Sequence, residues 1–171
     1  MFCSIVVPID LAEPVVSKRA IDHAVMLAKL SKGRVTLINV VPIMPLMMLD
    51  TVPVSFEAEV AEKAKAAMAE LASTIDLPPE RLETLVRIGG IYHEVLEAAE
   101  ARKADLVVVG SHRPGMATYL IGSNATAIVR HATCSVLVIR QANLLPAESC
   151  EPEVEAEKEK AALSTAVSDL V

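Results

Sequence analysis

The chain has 171 residues, 53% of them hydrophobic, and a formal net charge of −6. That length fits one ordinary domain, and so large an apolar fraction excludes disorder over the main body. Residues 145–171 hold seven acids and two bases, so the body is nearly neutral and unsuited to neutralising phosphates along a nucleic acid.

In chain order, the first apolar run is Ser4–Ile9, a short β-branched stretch that ends in Pro8-Ile9-Asp10. Val15–Leu30 follows with Val16, Ala20, His23, Ala24, Leu27 and Leu30 at helical spacing, and Gly33 stands where a helix stop is common. Arg34–Val41 reads as a second buried strand. The uncharged stretch continues to Leu49, but its 15 residues, broken by Pro42 and Pro45, fall short of a membrane span, which needs about 20. Glu57–Ile75 is rich in Ala, Glu and Lys and predicts a helix ending before Pro78 and Pro79. Arg81–Ile88 alternates, with Leu82, Thr84, Val86 and Ile88 on one side and Glu83 and Arg87 on the other, as a strand near a sheet edge does. Ile91–Lys103 carries Ile91, Val95, Leu96 and Ala99 on one helical face. Leu106–Gly110 is a third continuous apolar strand, Ser123–His131 a short helix, and Cys134–Arg140 the last strand.

Strands that are apolar on both faces and alternate with helices predict a single doubly wound α/β domain. Its sheet is five-stranded and parallel, flanked by helices on both faces. The domain is expected over residues 1–144. Residues 145–171 form an acidic tail, expected to be mobile or loosely helical.

The cysteines, Cys3, Cys134 and Cys150, are odd in number and widely spaced, with no zinc-binding pattern. The start lacks the features of a secretory signal, and a cytoplasmic location is expected. Cys134 lies in an apolar run and is expected in the core.

In open α/β sheets ligands bind beyond the carboxyl ends of the strands, where strand order reverses. Asp10 stands at such an end. Its carboxylate can accept from ribose hydroxyls or an adenine amino group, or it can simply turn the chain ahead of the first helix. The fourth strand runs through Val109 and Gly110 into Ser111-His112-Arg113-Pro114-Gly115. Gly122-Ser123-Asn124 then opens a helix whose free N–H groups suit a phosphate. His112 either donates to a phosphate or is an ordinary loop residue. His23, His93 and His131 have no metal-like spacing, and His131 is expected to meet the free carbonyls at its helix end. Met44, Met47 and Met48 either fill core gaps or form a contact segment. No Walker A loop, G-x-G-x-x-G fingerprint, G-x-S-x-G elbow or kinase signature occurs, which favours a binding or signalling module over a dedicated enzyme.

The stretch GSHRPGMATYLIGSNATAIVRHATCSVLVIR over residues 110–140 resembles the C-terminal signature of the universal stress proteins, and Ile5–Asp10 and Gly89–Gly110 are similar to the same family. The S-H-R-P wording is closest to the F/G-type members. The resemblance implies strand order 3-2-1-4-5, homodimers joined through Cys134–Arg140, and in many members ATP bound through the pattern G-x2-G-x9-G-[ST]. Here Gly110 and Gly122-Ser123 match the ends of that pattern, Arg113 replaces its middle glycine, and the span is one residue shorter. Gly115 supplies flexibility nearby, and Arg113 can itself reach a phosphate. Carried over, Pro8, Ile9 and Asp10 meet adenine and ribose, Val40 borders the adenine, Val109 and Gly110 line the sugar and first phosphate, and Gly122, Ser123 and Asn124 hold phosphates. The function implied is a stress-response protein that binds ATP or AMP, with or without Mg2+, as an effector. A member acting through protein contacts alone, or a slow nucleotide-hydrolysing or phosphoryl-transfer enzyme, remains the alternative.

Overall fold

The computed structural model describes residues 2–43, 56–111 and 122–140. The expected tail at 145–171, the methionines at 44–48 and the loop residues His112, Arg113 and Gly115 lie outside the described residues. The elements are β1 (Ser4–Ile9), α1 (Pro14–Ser31), β2 (Arg34–Val41), α2 (Phe56–Ser73), β3 (Leu82–Ile88), α3 (Ile91–Ala101), β4 (Leu106–Ser111), α4 (Ser123–His131) and β5 (Ser135–Arg140). All four strand pairings are parallel and the order is β3-β2-β1-β4-β5. The doubly wound architecture expected from the sequence is therefore present, with β1 and β4 adjacent at the switch point and β3 and β5 at the edges.

The two faces of the sheet bury separate cores. Ile5, Val7 and Ile9 of β1 pack with Leu37, Val108, Met68 and the α1 residues Ala20, Ile21, Ala24 and Ala28. Val6, Ile38, Val107 and Val109 face the other way, against Val95, Ala98 and Ala99 of α3 and Ala125 and Ile128 of α4. Because β1, β2 and β4 are covered on both faces, their sequences are continuously apolar rather than alternating.

The buried stripe of α1 is the expected one in part: Ala20 and Ala24 are buried and Leu27 packs on the core. Ser17, Ala20, Ile21, Ala24 and Ala28 face inward, whereas Leu30 is 69% exposed. Three alanines on the inner face let the helix lie close to the sheet, and small side chains add little to a hydrophobicity pattern read from sequence. Gly33 also differs from expectation. The left-handed position after α1 is Lys32, with φ 56°. Gly33 is required instead by close approach, since a Cβ there would lie 2.7 Å from the carbonyl oxygen of Phe2.

Other boundaries shift for local reasons. α2 ends at Ser73 rather than Ile75 because the amides of Thr74 and Ile75 bond back to Leu71 and Ala72, tightening the last turn. α3 ends at Ala101, and Lys103 adopts φ 48°. A short 3-10 turn, Pro79–Arg81, delays β3 to Leu82. Cys134 precedes β5 and is half-buried rather than a core residue; burial raises its thiol pKa. His131 is exposed and its ring stacks on Tyr92 at 6.2 Å between centroids, where carbonyl contacts were expected. No helix among the described residues is long and apolar enough to cross a membrane.

Candidate functional site

The carboxyl ends of β1, β2 and β4 open onto a cleft of about 410 Å³, within the usual ligand-site range of about 300–1,000 Å³. Its walls include Pro8, Ile9 and Asp10 from β1 and its exit, Val40 from β2, Val109 and Gly110 from β4, and Asn124 from α4. Seven residues singled out in the sequence thus meet around one space. Gly122 and Ser123 cap the adjoining start of α4 but do not line the cleft itself. The sheet register explains the convergence: β1 pairs with β2 as far as Ile9↔Asn39, so the chain leaves β1 beside Val40.

Asp10 performs the turning role that its residue type suggests. Its Oδ1 accepts from the Ala12 N–H at 2.9 Å, and its carbonyl accepts from the Glu13 N–H at 3.3 Å. The side chain remains exposed, and Oδ2 has no partner among the described residues. Turning and ligand binding are therefore compatible, one carboxylate oxygen being available for each.

Across the cleft, α4 begins at Gly122, whose side has no capping side-chain bond, and the Thr126 N–H is the first to return to the Gly122 carbonyl. Among the described residues no side chain caps this helix end, which carries a partial positive charge and adjoins the cleft through Asn124. Asp10 and Glu13 are the charged residues among the described walls, and both are acidic. Within the described part of the site, the groups whose charge would suit an anion are the backbone amides at the start of α4.

Sequence reasoning missed several contributors. Ser17 lines the cleft from the first turn of α1 and is 5% exposed. Asn39, 8% exposed, lines it from β2. Ile38, Pro42, Ile91 and Val95 supply apolar wall. Pro14 at the start of α1 was the available signal for Ser17, because it marks which residues fall in the first helical turn. Nothing in the sequence distinguishes Asn39 from an ordinary polar interruption of a strand.

Residues 1–140 match the universal stress protein family. The chain belongs to that family. Universal stress protein G of Salmonella typhimurium is 36% identical over 143 residues, covering 82% of this chain and all of the relative. Universal stress protein A homolog 1 of Coxiella burnetii is 33% identical over 127 residues, covering 72% of this chain and 87% of that one. The similarity to the G proteins agrees with the F/G-type wording of the loop. Among solved structures, universal stress protein UspA from Lactobacillus plantarum superposes with a TM-score of 0.63 at 27% identity, over 81% of this chain and 97% of its own. A universal stress protein in complex with cAMP has the same fold, with a TM-score of 0.55 at 20% identity over 81% of this chain and 97% of that one.

An adenine nucleotide makes three demands on this universal stress protein: an apolar slot for the base, acceptors for hydroxyl or amino groups, and an anion site. Among the described residues, Ile38, Val40 and Val95 supply apolar wall, Asp10 offers a carboxylate acceptor, and α4 opens beside the cleft at Asn124. No cluster of three or more His, Cys, Asp or Glu side chains converges on a metal-sized site among the described residues.

Proposed function

We propose that this universal stress protein binds an adenine nucleotide, ATP or AMP, in the cleft and uses it as an effector in the stress response. The observation that carries this reading is the meeting of Pro8, Asp10, Val40, Gly110 and Asn124 around one cleft that ends at the start of α4. The base lies on the β2 side, the ribose near Asp10, and the phosphates toward Gly110 and α4. Any Mg2+ arrives on the phosphates. His112, Arg113 and Gly115, which follow β4 in the sequence, have side chains and flexibility suited to phosphates. The bound nucleotide acts by changing conformation or partner binding in a cytoplasmic homodimer paired through β5.

Acid extraction of the purified protein, followed by chromatography for ATP and AMP, tests the proposal, with calorimetric titration of both nucleotides as the quantitative arm. Retained nucleotide or saturable binding supports it; neither extractable nucleotide nor binding would overturn it. The second reading, action through protein contacts alone, draws on Arg113, which stands where the ATP-binding pattern has glycine. Slow hydrolysis is a separate matter. Phosphate release over many turnovers would move the protein into the enzyme class.

A further inference from the structure

One polar atom in the cleft wall has no hydrogen-bond partner among the described residues. Asn39 is 8% exposed, lines the cleft, and donates from Nδ2 to the Ile9 carbonyl at 2.9 Å. A carbonyl can only accept, so the NH2 end of the amide faces Ile9 and the orientation of the side chain is determined. Its Oδ1 is left without a hydrogen-bond partner among the described residues. A buried acceptor in that state is unfavourable and calls for an explanation outside the chain's own bonds.

The surroundings specify what could satisfy it. The β2 side of the cleft is apolar, with Ile38, Val40 and Pro42 beside Asn39 and with Ile91 and Val95 also in the wall. Phosphates are drawn instead to the amide-rich start of α4. A nucleotide in the cleft therefore places its base against β2, where Asn39 is the polar side chain.

We propose that Asn39 determines base specificity in this cleft, its Oδ1 accepting a hydrogen bond from an exocyclic amino group and so selecting a 6-amino purine over a 6-oxo purine. The inference rests on the nucleotide reading above and deepens it. A 6-amino group satisfies Oδ1, whereas a 6-oxo group presents acceptor to acceptor and a bare C–H leaves Oδ1 unpaired. Discrimination then comes from the cost of the wrong pairing as much as from the gain of the right one.

The test is calorimetric titration of the full chain with ATP, with its 6-oxo analogue ITP, and with purine riboside triphosphate, which carries hydrogen at position 6. The unsubstituted protein is expected to bind ATP about tenfold or more tightly than either analogue, as loss of one buried hydrogen bond implies. Asn39→Leu keeps the approximate shape and removes the amide. In that variant the three ligands are expected to bind within about threefold of one another, because the residue–ligand coupling is gone. A merely structural Asn39 would weaken all three equally and leave their ratio intact, which would overturn the assignment. So would equal binding of ATP and both analogues by the unsubstituted protein, a result that needs no variant. Asn39→Ala provides the same comparison where circular dichroism finds the leucine variant unfolded. Should the unsubstituted protein bind none of the three ligands, the nucleotide reading itself fails and takes this inference with it. Binding without discrimination sinks the Asn39 role alone.

Discussion

Ser17 holds Asp10 at both ends of its backbone: the Ser17 Oγ accepts from the Asp10 N–H at 3.0 Å and donates to the Asp10 carbonyl at 3.2 Å. One hydroxyl thus closes the turn that carries the chain from β1 into α1. The same turn borders two spaces. Ile9, Asp10 and Ser17 line the candidate nucleotide cleft and also a cavity of about 290 Å³ between α1 and α2. A change in the position of Asp10 would alter both spaces. Ser17→Ala is expected to destabilise the protein by about 1–2 kcal/mol, since two partly buried hydrogen bonds lose their partner. Nucleotide affinity should fall with it, because Asp10 is no longer fixed. Urea unfolding and calorimetric titration measure the two effects, and unchanged affinity would mean that Asp10 is positioned by other means.

The start of α4 offers a cleaner separation of binding from folding. Among the described residues, a Cβ at Gly122 would meet nothing within 4 Å, and its φ of −54° is accessible to any L-residue. Gly122→Val should therefore fold normally. If phosphates approach the amides there, the added bulk should weaken ATP binding at least tenfold, about 1.4 kcal/mol. Unchanged affinity in a folded variant would move the phosphates away from Gly122.

How far the site could be read in advance depended on the kind of signal each residue carries. Asp10 and Gly110 stand out because they end apolar strands, and the rule that ligands sit at such ends holds for any open parallel sheet. Asn124 follows from its place at a helix start after a glycine, and Val40 from the family resemblance. Asn39 was illegible because its meaning comes from a neighbour 30 positions away, the Ile9 carbonyl, which only the β1–β2 register brings alongside. The end of the α1 stripe departed from expectation for a different reason. Hydropathy ranks Leu30 above Ala28, yet close packing on the sheet has room for the alanine and leaves the leucine outside. Edge strand β3 was partly legible: Leu82 and Val86 pack on one face as expected, while Ile88, assigned to the same side, is 41% exposed at the end of the strand.

At the opposite end of the sheet from the cleft, Arg102 of α3 clamps Glu83 of β3 with two bonds, from Nε at 2.8 Å and from Nη2 at 2.6 Å, while the Thr36 hydroxyl donates to the same carboxylate at 3.2 Å. The Arg102 hydrogen bonds are the main cause that holds the Glu83 carboxyl below its ordinary pKa of 4.5. With the folded-state pKa depressed, the unfolded chain takes up the proton first as pH falls. The stabilisation is complete well above pH 4.5 and disappears as pH drops through the lower folded value. The Glu83 side chain is half exposed, so solvent screening limits the effect. Glu83→Gln should cost roughly 0.5–1 kcal/mol at neutral pH. That difference should shrink as urea unfolding is repeated at progressively lower pH, and a constant difference would assign the effect to packing rather than charge.

Every described residue of the cleft lies between Pro8 and Ile128. We therefore expect a chain ending at Leu144 to bind nucleotide with the affinity of the full chain, which supports assigning the domain to residues 1–144 and the acidic stretch to a separate role. Parallel titrations of the two forms decide it. A loss of more than about threefold, near 0.7 kcal/mol, would bring the acidic residues into the binding reaction.

The dimer proposal turns on β5. This strand pairs with β4 along one side, from Leu106↔Ser135 to Ser111↔Arg140, and ends the sheet order. Its outer row of backbone groups therefore faces away from the sheet, on a strand whose central residues, Val136–Ile139, are all apolar. Such an edge invites pairing unless Lys, Pro or a bulge blunts it, and β5 carries none within Ser135–Ile139. Two copies joined antiparallel about a two-fold axis would satisfy both edges in a closed assembly. The choice of probe follows from the side-chain directions. Val136 and Val138 pack toward α3 and α4, and Leu137 and Ile139 toward α1, so every apolar position of β5 also serves the core of its own subunit. A short acidic side chain would confound unfolding with dissociation. Val138→Lys is preferable, because a lysine stem can cover apolar surface while its ammonium reaches water. We expect light scattering at micromolar concentration to give a dimer mass for the unsubstituted chain and a monomer mass for Val138→Lys, with circular dichroism unchanged. A monomer mass for the unsubstituted chain would end the proposal, and a folded Val138→Lys dimer would move the interface off this edge.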